Sequence, residues 1–517
     1  MKKYYLGIDI GTFESKGVLI DDESFRIVAS HAVAHGMENP HPNHFEHDAE
    51  AVWWHDYCEI TRTIITESGI RPEDIACVGT STLGTDCLPV DENCKPLRKA
   101  ILYGIDARAD KEIAYLNEYY GEKRVMELYG HALCSDDIAP KILWIKNNEP
   151  EVYARTYKFI TGPCFITARL TGNYKMDHFL AKSSFKPIYN PDGSVNEREC
   201  ALYCRPDQVA ECAQSTDLAG YVTEQASRET GLAVGTPVIV GTGDSTAEAI
   251  SGGLTQPGNL LMQFGSSMFY YFCMDHQVDG NEFIKGGGQF TIPNTYCLGG
   301  GTNAAGTLTR WVRDTFYAAE LAAEAQGGEN AYSIMAREAA EVPAGSDGLV
   351  MLPYIFGERS PLFDPHAKGV LFGLTGTHTR KHINRAALEA VGYSCFQHLC
   401  LFRELALEPD TVTIAGGGTK NATWMQITAD IMGVPITVSE PWQTASYGDA
   451  MMATIGCGTL KNFQELKQAM PKCPVVQPNM DNHEKYLKYY EIFTALYRNN
   501  KNLMHQLDNL RADMLDN

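Results

Sequence analysis

Asp9 ends an apolar run, Tyr4-Tyr5-Leu6-Gly7-Ile8, and is followed by Ile10-Gly11-Thr12. A carboxylate beside a glycine and a small hydroxyl is equipment for handling phosphate. Backbone N–H groups of such a turn and the Thr12 hydroxyl can face phosphate oxygens, while Asp9 can hold a hydrated Mg²⁺. A comparable strand, glycine and hydroxyl combination returns at Ala415-Gly416-Gly417-Gly418-Thr419. The competing reading of each is a glycine-bearing β-turn or helix start with no ligand. Asp244 is the third place where chemistry is expected. It follows the buried-strand pattern Pro237-Val238-Ile239-Val240 through Gly241-Thr242-Gly243, at the carboxyl end where strands of α/β proteins present side chains to ligands. There a carboxylate can accept the proton of an alcohol that attacks a phosphoryl group. It can equally serve as N-cap of the helix that begins at Ser245.

These residues need strands to carry them and helices to back them. Val18-Leu19-Ile20 resumes strand character after the Gly11 turn, making a hairpin with a small-residue tip. Residues 49–68 carry helical periodicity, Ile75-Ala76-Cys77-Val78-Gly79 reads as a strand, and Leu88-Pro89-Val90-Asp91 is expected to close a further hairpin. A helix through Leu143, Trp144 and Ile145 stops at Pro150, and residues 157–160 form a strand before Thr161-Gly162-Pro163. Residues 245–250 read as helix, and the boundary between halves is expected at Gly252-Gly253, giving lobes 1–252 and 253–517.

The second half repeats the grammar. Residues 259–264 form a strand, Gly265-Ser266-Ser267 a small-residue tip and residues 268–272 its partner. Leu298-Gly299-Gly300-Gly301 leads into a helix through Trp311, and Val412-Thr413-Ile414 feeds Gly416-Gly417-Gly418 and a helix over 421–432. Apolar residues at Tyr489, Phe493, Leu496, Leu503, Leu507 and Leu510 predict a long amphipathic helix packed on a lobe. Two such halves predict a duplicated α/β architecture with a cleft that closes around substrate.

Composition bounds the partners. The chain has 517 residues, above the roughly 250–300 at which one core stops growing, so two large domains are expected. Its 43 Lys and Arg against 64 Asp and Glu leave a net charge of −21, which argues against nucleic-acid and anionic-membrane surfaces. The 15 cysteines are scattered without CxxC spacing, and no apolar stretch is long enough to span a bilayer. A cytoplasmic protein is expected, with a homodimer within reach. His35, His41, His44 and His47 are read as loop residues, and Gly286-Gly287-Gly288 as a flexible loop.

The run Gly369-Val370-Leu371-Phe372-Gly373-Leu374 followed by His382-Ile383-Asn384-Arg385-Ala386-Ala387-Leu388-Glu389 resembles the C-terminal signature of the FGGY carbohydrate kinases. Leu352-Pro353-Tyr354-Ile355-Phe356-Gly357-Glu358-Arg359-Ser360-Pro361 resembles another stretch of that family. So do Asp9 to Thr12, Lys141-Ile142-Leu143-Trp144, Arg169-Leu170-Thr171-Gly172, Gly241 to Asp244 and Gly416 to Gln426. The resemblance implies an actin-like ATPase fold of two RNase H-like lobes. It also implies ATP, Mg²⁺ and transfer of the γ-phosphate to a sugar or polyol hydroxyl.

Carried over by position, Asp244 corresponds to the catalytic base and Asp9 to the acidic residue near the metal. Thr12 and Ser266 correspond to residues along the β- and γ-phosphates, and Gly306, Arg310, Gly417 and Asn421 to nucleotide contacts in the second lobe. Thr85, Asp86 and Asp106 fall in the sugar-side region. Here Thr82-Leu83-Gly84-Thr85-Asp86 departs from the Gly-Gln-Met-His-Gly of members similar to xylulokinase and from the Arg-Glu pair of members similar to glycerol kinase.

Carboxylates at Asp86 and Asp106 accept hydrogen bonds from vicinal hydroxyls and repel anionic substrates, so a neutral polyol or ketose, foremost a ketopentose such as xylulose or ribulose, is expected. Asp106 has an alternative as the ion-pair partner of Arg108, and Asp86 as a turn residue. Two other functions share the architecture: an actin-like ATPase coupled to shape change, and a sugar-responsive regulator without catalysis.

Overall fold

The computed structural model describes residues 2–515 apart from 282 and 285, with side chains described as far as 510. The first hairpin forms as expected. Tyr4–Ile10 runs antiparallel to Glu14–Asp21, and the tip is closed by the Gly11 N–H donating to Glu14 O at 3.0 Å. Ile27–Ala34 continues the meander on one side. On the other, Ile75–Thr82 adds in parallel to Tyr4–Ile10, followed by parallel Pro237–Ile239 and the antiparallel edge Leu218–Tyr221.

The second sheet has the same order. Tyr296–Thr302, Met268–Met274 and Asn259–Phe264 form its meander, Thr411–Ala415 and Ile436–Val438 its parallel strands, and Val475–Val476 its antiparallel edge. Both sheets place their hairpin tip beside the carboxyl end of the neighbouring parallel strand, because antiparallel partners turn back where a parallel strand runs out. That shared geometry brings small-residue tips and strand-end loops together in each lobe.

One helix ties the lobes. Ala445–Gly456 follows the parallel strands of the second sheet yet packs on Tyr4–Ile10 and Ile75–Thr82 of the first. Its seat is made of glycine: a Cβ on Gly7 would collide with Ser446 O, and one on Gly79 with Asp449 O. The Asp244–Ser251 helix lies alongside, and Tyr5, Ile20, Ala247, Ile250, Leu261, Tyr447 and Met451 form one apolar cluster between the lobes. Burial of each large apolar side chain there contributes about 1.5–3 kcal/mol. The interface close to Asp244 is therefore a packed core.

Several local expectations change. Leu88–Val90 turns back on neighbouring sequence as expected, through an antiparallel Val90–Pro96 bridge and the Leu97 N–H donating to Pro89 O at 3.0 Å, but its ladder partner is Lys158–Ile160, too distant in sequence for turn residues to announce. Gly288–Gln289 forms a short strand on Tyr296–Thr302, so part of the glycine run is ordered in the sheet. Three of the four histidines, His41, His44 and His47, are built into strands, while His35 lies just past one as expected of a loop residue. His47 is buried and accepts from Trp53 Nε1 at 3.0 Å, and burial pushes its imidazole down to about 4. The C-terminal helix is longer than expected, Met480–Leu515, and buries Tyr486, Phe493, Leu496, Tyr497 and Met504. Leu503, Leu507 and Leu510 are exposed, because at 3.6 residues per turn they lie to one side of the line from Phe493 to Met504. Among the described residues no helix is long and apolar enough to cross a membrane, and all fifteen cysteines are free.

Candidate functional site

Asp9 lies on the last full turn of pleat before the first tip. It is half-buried and accepts from Ser81 Oγ at 2.9 Å. Burial and then the charge of Asp244 hold its carboxyl well above the usual carboxylate range. Asp244 is also half-buried, and burial pushes it up to about 6. It occupies the first residue of the Asp244–Ser251 helix, whose N-cap is Gly243, so the capping alternative does not describe it. Its Oδ1 accepts from the Ser245 N–H at 2.6 Å. Among the described residues Oδ2 has no hydrogen-bond partner, leaving a lone pair for an incoming hydroxyl.

Two neighbouring carboxylates, with the charge of Asp244 raising the proton affinity of Asp9 and oxygen as the donor set, fit a hard divalent cation such as Mg²⁺. Asp449, fully buried on the interlobe helix, joins this group. Its Oδ1 has no partner, and burial together with the charge of Asp9 holds the group well above the usual range.

The loop of Thr85 and Asp86 borders Asp244, since a Cβ on Gly243 would lie 3.2 Å from Gly84 Cα. Thr85 is half-buried. Asp86 is fully buried, accepts from the Gly162 N–H at 3.0 Å, and is held well above the usual range by burial. Asp106 is more committed. Its oxygens accept from Phe45 N–H at 2.6 Å and from the Arg108 guanidinium at 2.7–3.0 Å, with Arg108 also bonded to Glu46 at 2.8 Å. The ion-pair alternative describes Asp106, which shapes the wall through Arg108 with its own lone pairs already in use. Thr12 Oγ1 lies 3.3 Å from Tyr103 Oη, linking the first tip to that wall.

In the second lobe Ser266, Gly306, Arg310, Gly417 and Asn421 line a single cavity of about 950 Å³. Its apolar side includes Tyr332, Met335, Leu388 and Trp424, and its basic side Arg310, Arg337 and Lys420. Ser266 O accepts from the Ala305 and Thr307 N–H groups at 3.1 and 2.9 Å, and the Gly306 N–H donates to Gly265 O at 2.9 Å, so helix start and tip are one unit. Asn421 caps the Ala422–Met432 helix through Oδ1, accepting from Trp424 N–H at 3.0 Å. An apolar slot beside a helix N-terminus and cationic side chains suits a planar base with an anionic tail.

Sequence reasoning missed Ser81, Asp449 and Lys141 as members of this region. Lys141 is fully buried and donates to Leu102 O at 2.5 Å and Tyr103 O at 3.1 Å, bracing the wall that carries Asp106. A lysine inside an apolar helix pattern was the signal for it; Ser81 and Asp449 gave none, since their meeting depends on the interlobe helix.

Comparison with known proteins gives the family. The description "FGGY family of carbohydrate kinases, N-terminal domain" fits residues 4–251, and the C-terminal domain of the same family fits residues 262–457. A xylulose kinase of Staphylococcus epidermidis is 27% identical over 509 residues, covering 98% of this chain and 99% of its own length. A gluconokinase of Bacillus subtilis is 26% identical over 533 residues, covering 100% and 99%. The crystal structure of xylulose kinase from Rhodospirillum rubrum superposes with a TM-score of 0.85 at 27% identity, covering 97% of this chain and 100% of that one. The two-lobed α/β structure is thus the actin-like ATPase fold of sugar phosphotransferases, and the chain belongs to the FGGY family of carbohydrate kinases.

Proposed function

We propose that this carbohydrate kinase transfers the γ-phosphoryl group of ATP to a hydroxyl of a neutral ketopentose such as xylulose or ribulose, with Asp244 as general base. The observation that carries the reading is Asp244 Oδ2, unpartnered at a half-buried helix start beside Asp9 and the Thr85–Asp86 loop. The acceptor O–H proton passes to Asp244, the acceptor oxygen bonds to the γ-phosphorus, and the bond from that phosphorus to the β,γ-bridging oxygen breaks to release ADP. Asp9 would hold Mg²⁺, which when bound offsets charge on the phosphates. Thr12 and Ser266, on the tips of the two lobes, orient the phosphates. Gly306, Arg310, Gly417 and Asn421 bind the nucleoside end. With the boundary at Gly252-Gly253, the first lobe serves the acceptor and the second the nucleotide.

The mutual proximity of the Asp9, Asp86 and Asp244 carboxyls favours a neutral acceptor over an anionic one, and a xylulose kinase stands among the relatives. The test is ADP release with xylulose, ribulose, glycerol and gluconate. A ketopentose is expected to give the highest kcat/KM. Preference for gluconate would overturn the acceptor assignment, and ADP formation independent of every acceptor would favour the shape-coupled ATPase.

A further inference from the structure

Behind the acceptor wall, His131, Cys134 and Asp137 offer one nitrogen, one sulfur and one carboxylate oxygen, all within 4.8 Å of one another. His131 Nε2 lies 3.2 and 3.3 Å from the two Asp137 oxygens. The Cys134 N–H donates to Asp137 Oδ2 at 2.9 Å, and the Asp137 N–H to Cys134 O at 3.1 Å, so a tight turn fixes the cluster. Asp137 carries a second observation. It is the N-cap residue of the Ile138–Asn148 helix and an excellent capping type, yet its side chain makes no capping bond and turns back toward His131 and Cys134. It is buried, while His131 and Cys134 are half-exposed, which leaves a solvent-facing fourth position.

We propose that His131, Cys134 and Asp137 form a binding site for one Zn²⁺ ion, with water completing the tetrahedron. Zinc takes sulfur at about 2.3 Å and imidazole nitrogen or carboxylate oxygen at about 2.0–2.2 Å. Ligand atoms in such a tetrahedron stand roughly 3.3–3.8 Å apart, so side-chain rotations of the order of an ångström complete the site. Binding releases the thiol proton of Cys134, and any proton on His131 Nε2, to solvent. Mixed sulfur, nitrogen and oxygen donors discriminate against Mg²⁺, which takes oxygen. The ion would stiffen the acceptor side: Ser135 Oγ donates to Gly104 O at 2.6 Å, and Lys141 of the same helix holds Leu102 and Tyr103. The inference is independent of which sugar is phosphorylated.

The experiment titrates the full-length, chelator-stripped protein with Co²⁺ as a spectroscopic stand-in, then displaces it with Zn²⁺. One equivalent is expected to give a thiolate-to-cobalt charge-transfer band that Zn²⁺ abolishes. Cys134→Ser removes a half-exposed sulfur at little cost in folding and is expected to eliminate the band, and His131→Gln to weaken Co²⁺ binding at least tenfold. Either no charge-transfer band in the unmodified protein or an undiminished band in Cys134→Ser overturns the proposal, the latter placing the metal on other cysteines.

Discussion

Asp449 and Ser81 meet across the two lobes, with Asp449 Oδ2 2.6 Å from Ser81 Oγ, 368 residues apart in sequence. The same Ser81 oxygen is 2.9 Å from Asp9 Oδ1. A hydroxyl has one proton, so it donates to one of these carboxyls and must accept from the other. Burial holds both carboxyls well above the usual carboxylate range; Asp449 is fully buried whereas Asp9 is half-buried, so the proton is assigned to Asp449. The resulting chain runs from the Asp449 O–H to Ser81 and from the Ser81 O–H to Asp9. A neutral acid buried on the interlobe helix thus sets the orientation of the carboxylate beside the phosphate tip.

That chain separates two substitutions. Asp449→Asn retains a donor of the same shape and is expected to change unfolding free energy by less than about 1 kcal/mol. Asp449→Ala leaves a polar cavity and an unpaired Ser81 contact, at about 2–4 kcal/mol. Urea denaturation measures both, and an Asn variant as unstable as the Ala variant would show that Asp449 is ionised.

Asp244→Asn should bind nucleotide with near-normal affinity while acceptor-dependent turnover falls about 10²–10⁴-fold, the usual scale for a lost general base. The amide keeps its oxygen toward the Ser245 N–H, so the helix start is preserved. Calorimetric nucleotide titration beside the ADP-release assay checks this pair of outcomes. Near-normal turnover would remove Asp244 from the reaction.

The pH profile gives an independent reading of the same residue. Burial raises Asp244 to about 6, and only its ionised form can accept a proton. As pH falls below about 6, kcat/KM should therefore drop tenfold per unit, with a plateau above. An acid limb centred near an ordinary aspartate value of about 4 would mean that another group governs the rate.

Gly306 tests the unity of tip and helix start in the nucleotide cavity. A Cβ there would stand 2.6 Å from Gly265 O, so Gly306→Ala must push the Ser266 tip and the helix apart. We expect KM for ATP to rise about tenfold, equivalent to about 1.4 kcal/mol, with KM for the acceptor unchanged. A parallel rise in both would indicate general loss of structure.

What the sequence revealed follows the range of the interactions involved. The tips at Gly11-Thr12 and Gly265-Ser266-Ser267 were legible because each hairpin is built from adjacent residues. The placement of Asp244 at a helix start was legible because strand, glycine turn and helix follow one another in the chain. At Leu88–Val90 the local turn was legible but the ladder partner Lys158–Ile160 was not, since tertiary packing brings it in. The Asp449 and Ser81 contact had no local signature at all, because it depends on a helix of one half lying on glycines of the other. In the tail, period alone gave a helix but misplaced Leu503, Leu507 and Leu510, which lie beyond the buried line through Phe493, Tyr497 and Met504.

The His131 and Asp137 pair makes stability depend on pH in a predictable direction. Asp137 first, then Cys134, raises the imidazole from its ordinary 6.5 to about 9. A group bound more tightly to its proton when folded stabilises the fold fully below the unfolded value, and that contribution disappears as pH rises through the folded value. Between about pH 6.5 and 9 the protein should therefore lose up to about 3 kcal/mol from this pair, a ceiling because His131 is partly solvated. Chemical denaturation with chelator present, at pH 6, 7.5 and 9, measures the slope without metal. His131→Gln should be less stable at pH 6 and converge with the unmodified chain at pH 9. A constant difference across that range would mean that His131 is neutral throughout and held by packing, with Asp137 taking no imidazolium as partner.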